Sequence, residues 1–191
     1  MGETPVDDQR MEIRLSGSGG QGIILAAVII ADAAAATGKQ VVQTQSYGPE
    51  ARGGASKAEI VVADGEVDFP EVTRPDVTLC LSQAAFDKYA ADSPPGSLIA
   101  YDSGLVDAGG TADRRLIGLP FTQAAVDRFN KAVVANIVAV GALVELLDWL
   151  SPEAVAEAVL RRAPEHFRDL NAKALQLGRE LVARAPRSAA P

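Results

Sequence analysis

The stretch SGSGGQGIILAAVIIAD, residues 16–32, places a glycine-rich turn directly before an alanine-rich segment of strong helix-forming character. Residues 11–15 alternate between apolar and polar side chains and predict a strand that leads into this turn. Gly38 is well placed to end a helix over residues 21–37. This order is typical of a parallel α/β fold. We therefore expect an α/β, three-layer α/β/α protein with a mostly parallel, Rossmann-like sheet and a C-terminal helical segment.

The remaining segments supply further strands and then become helical. Short apolar segments bounded by turn residues predict strands over residues 40–44, 58–63, 76–81, 97–101 and 115–119. Helices are predicted from an N-cap at Ser82 or its neighbour toward Tyr89, over residues 131–150, over residues 152–162 with Ser151 as N-cap, and over residues 165–185.

These elements predict a single domain over residues 11–185. Residues 1–10 are polar and are expected to form a disordered leader, and residues 186–191 contain two prolines and are expected to form a mobile tail. The leader lacks the apolar segment of a signal peptide, and neither apolar run of the chain reaches the roughly 20 residues that a membrane span needs. We expect a cytoplasmic protein without a membrane partner.

The composition restricts the classes of function. Hydrophobic residues make up 48% of the 191 residues and charged residues 23%, which is ordinary for a globular protein and too apolar for disorder. The formal net charge of −7 provides no global attraction for nucleic acid, so no nucleic-acid partner is expected.

The single cysteine and the single histidine offer little chemistry. Cys80 lies in an apolar run and is expected to be a buried small hydrophobe. One cysteine can neither close an internal disulfide nor hold an iron–sulfur cluster within this chain. His166 stands among charged residues and is expected at the surface, with a catalytic base as the alternative. No catalytic and no metal-ligating residue is assigned.

The spacing Gly17-x-Gly19-x-x-Gly22 resembles a dinucleotide-binding fingerprint. A glycine turn before a helix permits close backbone approach, and the N–H groups at the helix start favour an anion. A dinucleotide site also needs an acid at the end of the second strand, but residues 42–45 carry none and the nearest carboxylate is Glu50. The glycines therefore serve either an anion or backbone contact, or only tight packing of the helix.

A second loop, YGPEARGGAS at residues 47–56, is expected at the same edge of the sheet. Arg52 can make a bidentate contact to a phosphate or carboxylate; alternatively, an Arg52–Glu50 pair only braces the loop. The candidate cofactor-binding residues of both loops are Gly17, Gly19, Gly20, Gln21, Gly22, Tyr47, Glu50, Arg52, Gly53 and Gly54.

Both loops together, in residues 16–64, resemble the gamma subunit or gamma domain of the 2-oxoacid:ferredoxin oxidoreductases. The later segments DVTLCLSQAAFDKY, NKAVVANIVAVGALVEL and LNAKALQLG fit the same pattern, so the resemblance covers about residues 11–181. It implies an accessory chain that packs on alpha, beta and possibly delta subunits and helps to form the coenzyme A side of the active site. The implied complex decarboxylates a 2-oxoacid and passes electrons to ferredoxin.

The same resemblance implies which cofactors the complex uses and which this chain lacks. The complex is expected to contain thiamine diphosphate, Mg²⁺ and iron–sulfur clusters and to use coenzyme A, whereas this chain alone is expected to bind no cofactor. The form QSYGPEARGGAS, with Ala51 where pyruvate-type chains tend to carry a basic residue, favours 2-oxoglutarate over pyruvate, ketoisovalerate or an aryl glyoxylate.

Two other classes of function remain as alternatives. One is a self-sufficient nucleotide-binding protein that uses Gly17, Gly19 and Gly22, which the missing ribose-binding acid disfavours. The other is a purely structural assembly subunit whose loops contact only partner chains.

Overall fold

A computed structural model of the protein describes residues 10–46, 54–109 and 114–185. The predicted tail and residues 1–9 of the predicted leader lie outside these described residues. The strands are β1 (Met11–Ser18), β2 (Gln40–Ser46), β3 (Ala55–Ala63), β4 (Val77–Cys80), β5 (Leu98–Asp102) and β6 (Arg115–Leu119). The helices are α1 (Ile23–Ala36), α2 (Gln83–Tyr89), α3 (Phe121–Phe129), α4 (Ala135–Leu146), α5 (Pro152–Arg162) and α6 (Arg168–Arg184).

The strands form one mixed sheet in the order β2-β3-β1-β4-β5-β6. The pairs β1–β4, β4–β5 and β5–β6 are parallel, whereas β3 runs antiparallel to both β1 and β2. Since β3 is antiparallel to both of its neighbours, β2 and β1 run in the same direction although they are not adjacent. The predicted mostly parallel α/β class is confirmed, while the reversed strand between β1 and β2 was not predicted.

One face of the sheet packs against α1 and the C-terminal helices. Ile13 and Leu15 of β1 point into this larger core, and α1 contacts β1, β2 and β3 on one side and α4 and α5 on the other. Such a helix is apolar on most of its circumference because it lies between two layers.

The opposite face of the sheet packs against α2. Cys80 of β4 and Ile99 of β5 form a smaller apolar cluster there with Phe86 of α2. Helices therefore cover both faces, which gives the three layers expected from the sequence. Within the described residues, no helix is long and apolar enough to cross a bilayer.

The helices α4 and α6 approach each other closely at two glycines. A Cβ atom added to Gly141 of α4 would collide with the carbonyl oxygen of Leu175, and one added to Gly178 of α6 would collide with the carbonyl oxygen of Val138. Each glycine therefore lets the backbone of the other helix approach where any side chain would hold it away.

The predicted helix caps are confirmed. The Ser82 and Ser151 hydroxyl oxygens accept hydrogen bonds from the N–H groups of Ala85 at 3.3 Å and Ala154 at 3.2 Å. Gly38, with φ of +87°, follows the end of α1. These positions bound α1, α2 and α5 as the sequence indicates.

Two helical segments differ from the prediction. α3 was not predicted, because its N-terminal N–H at Thr122 is held by Asp102, which lies 20 residues earlier in the chain. The segment predicted as one helix over residues 131–150 begins with a 3-10 turn at Ala132–Val134 and its α-helix ends at Leu146. Leu147 leaves the helical conformation, and the following turn buries Leu150 in the core.

Candidate functional site

The two predicted loops leave the sheet at the same edge. In the register of the sheet, Gly17 of β1 lies opposite Ser56 of β3, and Ser46 at the end of β2 lies opposite Lys57. The glycine turn after β1 and the connection between β2 and β3 therefore share the carboxyl edge of β1, where open α/β sheets bind ligands.

The structure describes only part of the second loop. Gly54 is half-buried and directly precedes β3. Tyr47, Glu50, Arg52 and Gly53 lie outside the described residues, so their roles stay predictions.

Gly19 and Gly20 form the open part of the glycine turn. Both are exposed, and a Cβ atom at either position would meet no atom within 4 Å. Gly20 has φ of +86°, which side chains rarely tolerate. The turn therefore presents an accessible backbone just before the N-terminus of α1, a position that favours an anion.

Gly17 serves packing. A Cβ atom at Gly17 would lie 2.6 Å from the Gln21 side-chain oxygen and 3.0 Å from Ile23 Cδ1. The Gln21 carboxamide is itself bound on both sides, because its oxygen accepts from Ser18 N–H at 2.6 Å and its nitrogen donates to the Leu81 carbonyl at 2.7 Å. Gly17 and Gln21 thus form a closed local structure.

Gly22 also serves packing, in this case against α4. It is the N-cap of α1 with φ of +71°, and a Cβ atom there would collide with the side chain of Asn136. Asn136 Nδ2 donates to the Gly22 carbonyl at 3.1 Å. Asn136 is 4% exposed and was not singled out from the sequence, although a lone polar side chain in the apolar run of residues 134–144 was the available signal.

The glycines thus divide into two pairs. Gly17 and Gly22 are packed against other side chains, as the packing alternative requires, whereas Gly19 and Gly20 are open, as the anion or backbone alternative requires. The cofactor-binding roles of these glycines stay predictions. A dinucleotide-type arrangement is further disfavoured because β3, not β2, lies beside β1. Of the described residues at this end of β2 and β3, Gln45, Ser46, Ala55 and Ser56 carry no carboxylate for a ribose.

A charged cluster lies below this edge, on the α2 face of the sheet. Arg14 Nε donates to Glu59 Oε1 at 2.7 Å, and Lys57 Nζ donates to Glu59 Oε2 at 2.8 Å. The Arg14 guanidinium lies 5.5 Å from the centre of the Tyr89 ring. Arg14 and Glu59 are 5% and 8% exposed, so this cluster is a buried ion pair rather than a free acid or base.

The buried carboxylate of Asp102, at the carboxyl edge of the sheet, also makes structural hydrogen bonds. Asp102 ends β5 and is fully buried. One of its oxygens accepts from the Thr122 N–H and hydroxyl at 2.9 and 2.6 Å, and the other accepts from the Gly104 N–H at 3.1 Å. Asp102 holds the start of α3 rather than a reacting group.

The predictions for Cys80 and His166 are confirmed. Cys80 is 0% exposed, and burial raises the pKa of its thiol to about 11, although a contact with Ser16 and the charge of Arg14 act in the opposite direction. A thiol of this kind is a poor nucleophile at neutral pH. His166 is exposed, with its ring 4.3 Å from that of Phe167.

Comparison with known proteins assigns this arrangement to a family. Residues 12–181 match the family model described as pyruvate ferredoxin/flavodoxin oxidoreductase. The chain belongs to this oxidoreductase family. The resemblance drawn from the two loops and the later helical segments is therefore confirmed, and the chain is a subunit of a multi-subunit oxidoreductase.

Two curated members of the oxidoreductase family match nearly the whole chain. The 2-oxoglutarate synthase subunit KorC of Methanocaldococcus jannaschii is 47% identical over 176 residues, which cover 91% of this chain and 94% of that protein. The subunit of the same name from Archaeoglobus fulgidus is 44% identical, over 91% of this chain and 88% of its own length.

Solved structures of the family share the fold. The crystal structure of a keto/oxoacid ferredoxin oxidoreductase gamma subunit from Geobacter sulfurreducens superposes with a TM-score of 0.85 at 47% identity, covering 92% of this chain and 98% of that one. A 2-oxoglutarate:ferredoxin oxidoreductase from Magnetococcus marinus gives a TM-score of 0.82 at 23% identity, covering 94% of this chain but 32% of that one. The same fold thus occurs both as a separate chain and within a longer one.

Proposed function

We propose that the chain is the gamma subunit of a 2-oxoglutarate:ferredoxin oxidoreductase. The observation that carries the choice of substrate is the 47% identity to a 2-oxoglutarate synthase subunit over nearly the full length of both chains. The overall reaction is 2-oxoglutarate plus coenzyme A plus two oxidised ferredoxins, which gives succinyl-coenzyme A, CO₂, one proton and two singly reduced ferredoxins.

The contribution of this chain is assigned to the coenzyme A side of the site and to assembly. Gly19 and Gly20 offer an exposed backbone at the N-terminal end of α1, which suits a phosphate or carboxylate group. Arg52, in the neighbouring loop, supplies a guanidinium that can bind the same kind of group. Tyr47, Glu50, Gly53 and Gly54 complete the proposed set from that loop.

The redox and decarboxylation cofactors are assigned to partner chains. A chain with one cysteine cannot by itself supply the ligands of an iron–sulfur cluster, and its sequence has no Gly-Asp-Gly motif of the thiamine-diphosphate type. We assign thiamine diphosphate, Mg²⁺ and the clusters to alpha, beta and possibly delta subunits, with ferredoxin as the electron acceptor of the cytoplasmic complex. Bound thiamine diphosphate supplies the carbanion chemistry of decarboxylation.

Co-expression with the other subunits tests this proposal. The tagged chain should copurify with thiamine diphosphate and iron, and the complex should reduce ferredoxin only when both 2-oxoglutarate and coenzyme A are present. Pyruvate and ketoisovalerate, supplied at equal concentration, are the controls for substrate class. A complex that prefers either control substrate would contradict the assignment to 2-oxoglutarate.

The alternative functions give different results in the same preparation. A self-sufficient nucleotide-binding protein would bind NAD or NADP as the isolated chain, whereas we expect no saturable binding in a titration with either. A purely structural subunit would lose assembly when the loops are changed. We expect instead that the Arg52→Ala complex assembles and has a raised KM for coenzyme A.

A further inference from the structure

Gln21 lies where the parallel strands β1 and β4 stop pairing. Their last paired residues are Ser16 and Cys80, and the Leu81 N–H then donates to the Ser16 carbonyl at 2.9 Å. In a regular parallel ladder, the next bond would run from the Ser18 N–H to the Leu81 carbonyl, because residue 81 lies between residues 16 and 18.

The Gln21 carboxamide occupies the place of that next bond. Its oxygen accepts from the Ser18 N–H at 2.6 Å, and its nitrogen donates to the Leu81 carbonyl at 2.7 Å. The donor and the acceptor of the missing ladder bond are therefore both satisfied, but they are separated by an inserted amide. The Gln21 amide therefore links the end of β1 to the residue after β4 in place of a direct backbone bond.

This insertion occurs where the helices leave the sheet on opposite sides. α1 follows β1 and packs on one face, while α2 follows β4 and packs on the other. The crevice between two such strands is the usual ligand site of an open α/β sheet. Gly17 leaves room for the inserted side chain, since a Cβ atom there would lie 2.6 Å from its oxygen.

We infer that Gln21 is a positioning residue: its carboxamide is a wedge between β1 and β4 that fixes the Gly19–Gly20 turn and sets the width of the crevice beside it. One acceptor site and one donor of the Gln21 amide are already used within the chain, so we assign this side chain a positioning role rather than a contact with coenzyme A. The inference rests on the proposed function only in naming coenzyme A as the group that meets the turn.

Two substitutions remove the wedge in different ways. Gln21→Glu keeps the shape and the acceptor but replaces the donor to the Leu81 carbonyl by an oxygen, while Gly17→Ala displaces the unchanged carboxamide. Gln176→Ala on α6, an exposed glutamine away from this edge, is the matched control. Because the two variants alter different residues, a folding failure of one leaves the other to decide.

The assembled complex should be measured by hydrogen exchange and by steady-state kinetics. We expect the amides of Ser18 and Gln21, whose hydrogen bonds hold this turn, to exchange roughly fivefold faster or more in both variants, the effect of about one lost hydrogen bond, with no change in the control. The KM for coenzyme A should rise by a similar factor, while the KM for 2-oxoglutarate and kcat stay within about twofold.

The two measurements fail in distinguishable ways. Unaltered exchange at Ser18 and Gln21 would overturn the wedge whatever the kinetics show. Faster exchange with an unchanged KM for coenzyme A would overturn the role of Gln21 in positioning the site. The proposed coenzyme A role of this edge is judged separately, by the coenzyme A dependence of the Arg52→Ala complex. An equal rise of both KM values would indicate general damage and would also overturn the inference.

Discussion

Asn136 of α4 donates a hydrogen bond to the carbonyl of Gly22, 114 positions earlier in the chain, and fills the space that a side chain at Gly22 would need. The glycine turn is therefore held partly by the C-terminal helices. Any change that moves α4 is expected to reach the carboxyl edge of the sheet through this contact.

Replacement of Gly22 by alanine should destabilise the protein by more than backbone strain alone. A left-handed conformation costs an alanine about 1–2 kcal/mol, and the collision with Asn136 adds to it. Gly38→Ala is the matched control, since Gly38 has φ of +87° but open space around it. We expect Gly22→Ala to lower the free energy of unfolding more than Gly38→Ala in denaturant titrations.

The double variant Gly22→Ala/Asn136→Ala separates the two causes. Measured against the single variant Asn136→Ala, which already lacks the hydrogen bond to Gly22, it should lack the part that is due to the collision and keep the part that is due to the positive φ. Equal destabilisation by Gly22→Ala and Gly38→Ala would show that the Asn136 contact is easily displaced.

The crossing of α4 and α6 should be intolerant of any side chain at its two glycines. Gly141→Ala and Gly178→Ala each place a methyl group against backbone of the other helix, which cannot rotate away as a side chain can. We expect each to lower the free energy of unfolding by about 3 kcal/mol or more. Gly19→Ala, with ordinary φ and open space, should change it by less than about 1 kcal/mol in the same titration.

Local patterns predicted most of the elements but not how they pair. Turn residues predicted the bounds of β6, and Ser151 and Pro152 predicted the start of α5, because these signals are local. β3 was found as an apolar segment, yet nothing in residues 58–63 shows that it inserts beside β1 in the reverse direction. α3 escaped detection because its N-terminal N–H is satisfied by Asp102, a partner distant in sequence.

For the site, the sequence predicted the position of the two loops but not which glycines are open. The sequence indicates that two loops meet at one edge, and the register of β1, β2 and β3 agrees. It could not distinguish Gly17 from Gly19, because the difference depends on whether another side chain fills the space above the glycine. Gln21, held by the Leu81 carbonyl, fills that space at Gly17, and Asn136 of α4 fills it at Gly22.

Cys80 should be unreactive in the folded protein. Burial raises the pKa of its thiol from 9.0 to about 11, so at pH 8 the reactive thiolate is scarce and inaccessible. We expect negligible labelling by a thiol reagent in buffer and complete labelling of the one thiol in denaturant. Rapid labelling of the folded protein would contradict the burial of β4.

The same pKa gives a signed dependence of stability on pH. Because the folded pKa lies above the unfolded value, the contribution of Cys80 is intact below pH 9 and is lost as the pH rises toward 11, by on the order of 1 kcal/mol per pH unit. The Cys80→Ala variant should lack this part of the alkaline decline in the free energy of unfolding. Identical alkaline profiles for the two proteins would contradict the prediction.

Glu12 should stabilise the fold at neutral pH and lose this effect in acid. Burial raises the pKa of its carboxyl group, but hydrogen bonds from the Arg74 and Thr73 N–H groups and from Arg10 outweigh burial and hold that pKa below 4.5. The stabilisation is therefore present above pH 4.5 and is lost as the pH falls through the lowered pKa.

The variant Glu12→Gln measures this effect. We expect a loss of roughly 1.5–3 kcal/mol in the free energy of unfolding at pH 7, since hydrogen bonds to a charged acceptor are replaced, and a smaller difference from the unchanged protein below pH 4.5. Glu157→Gln, at an exposed position of α5, is the control. A difference that is independent of pH would exclude the carboxylate charge as its cause.

The coenzyme A dependence of the assembled enzyme carrying Arg52→Ala tests most directly whether this edge of the gamma chain serves the active site. Loss of one charge-assisted contact of about 1.5–3 kcal/mol should raise the KM for coenzyme A roughly 10- to 150-fold, with the KM for 2-oxoglutarate nearly unchanged. Arg161→Ala, at an exposed position of α5, should behave like the unchanged enzyme. An unaltered coenzyme A dependence in fully assembled Arg52→Ala enzyme would contradict the proposed role and reduce Arg52 to a brace of its loop.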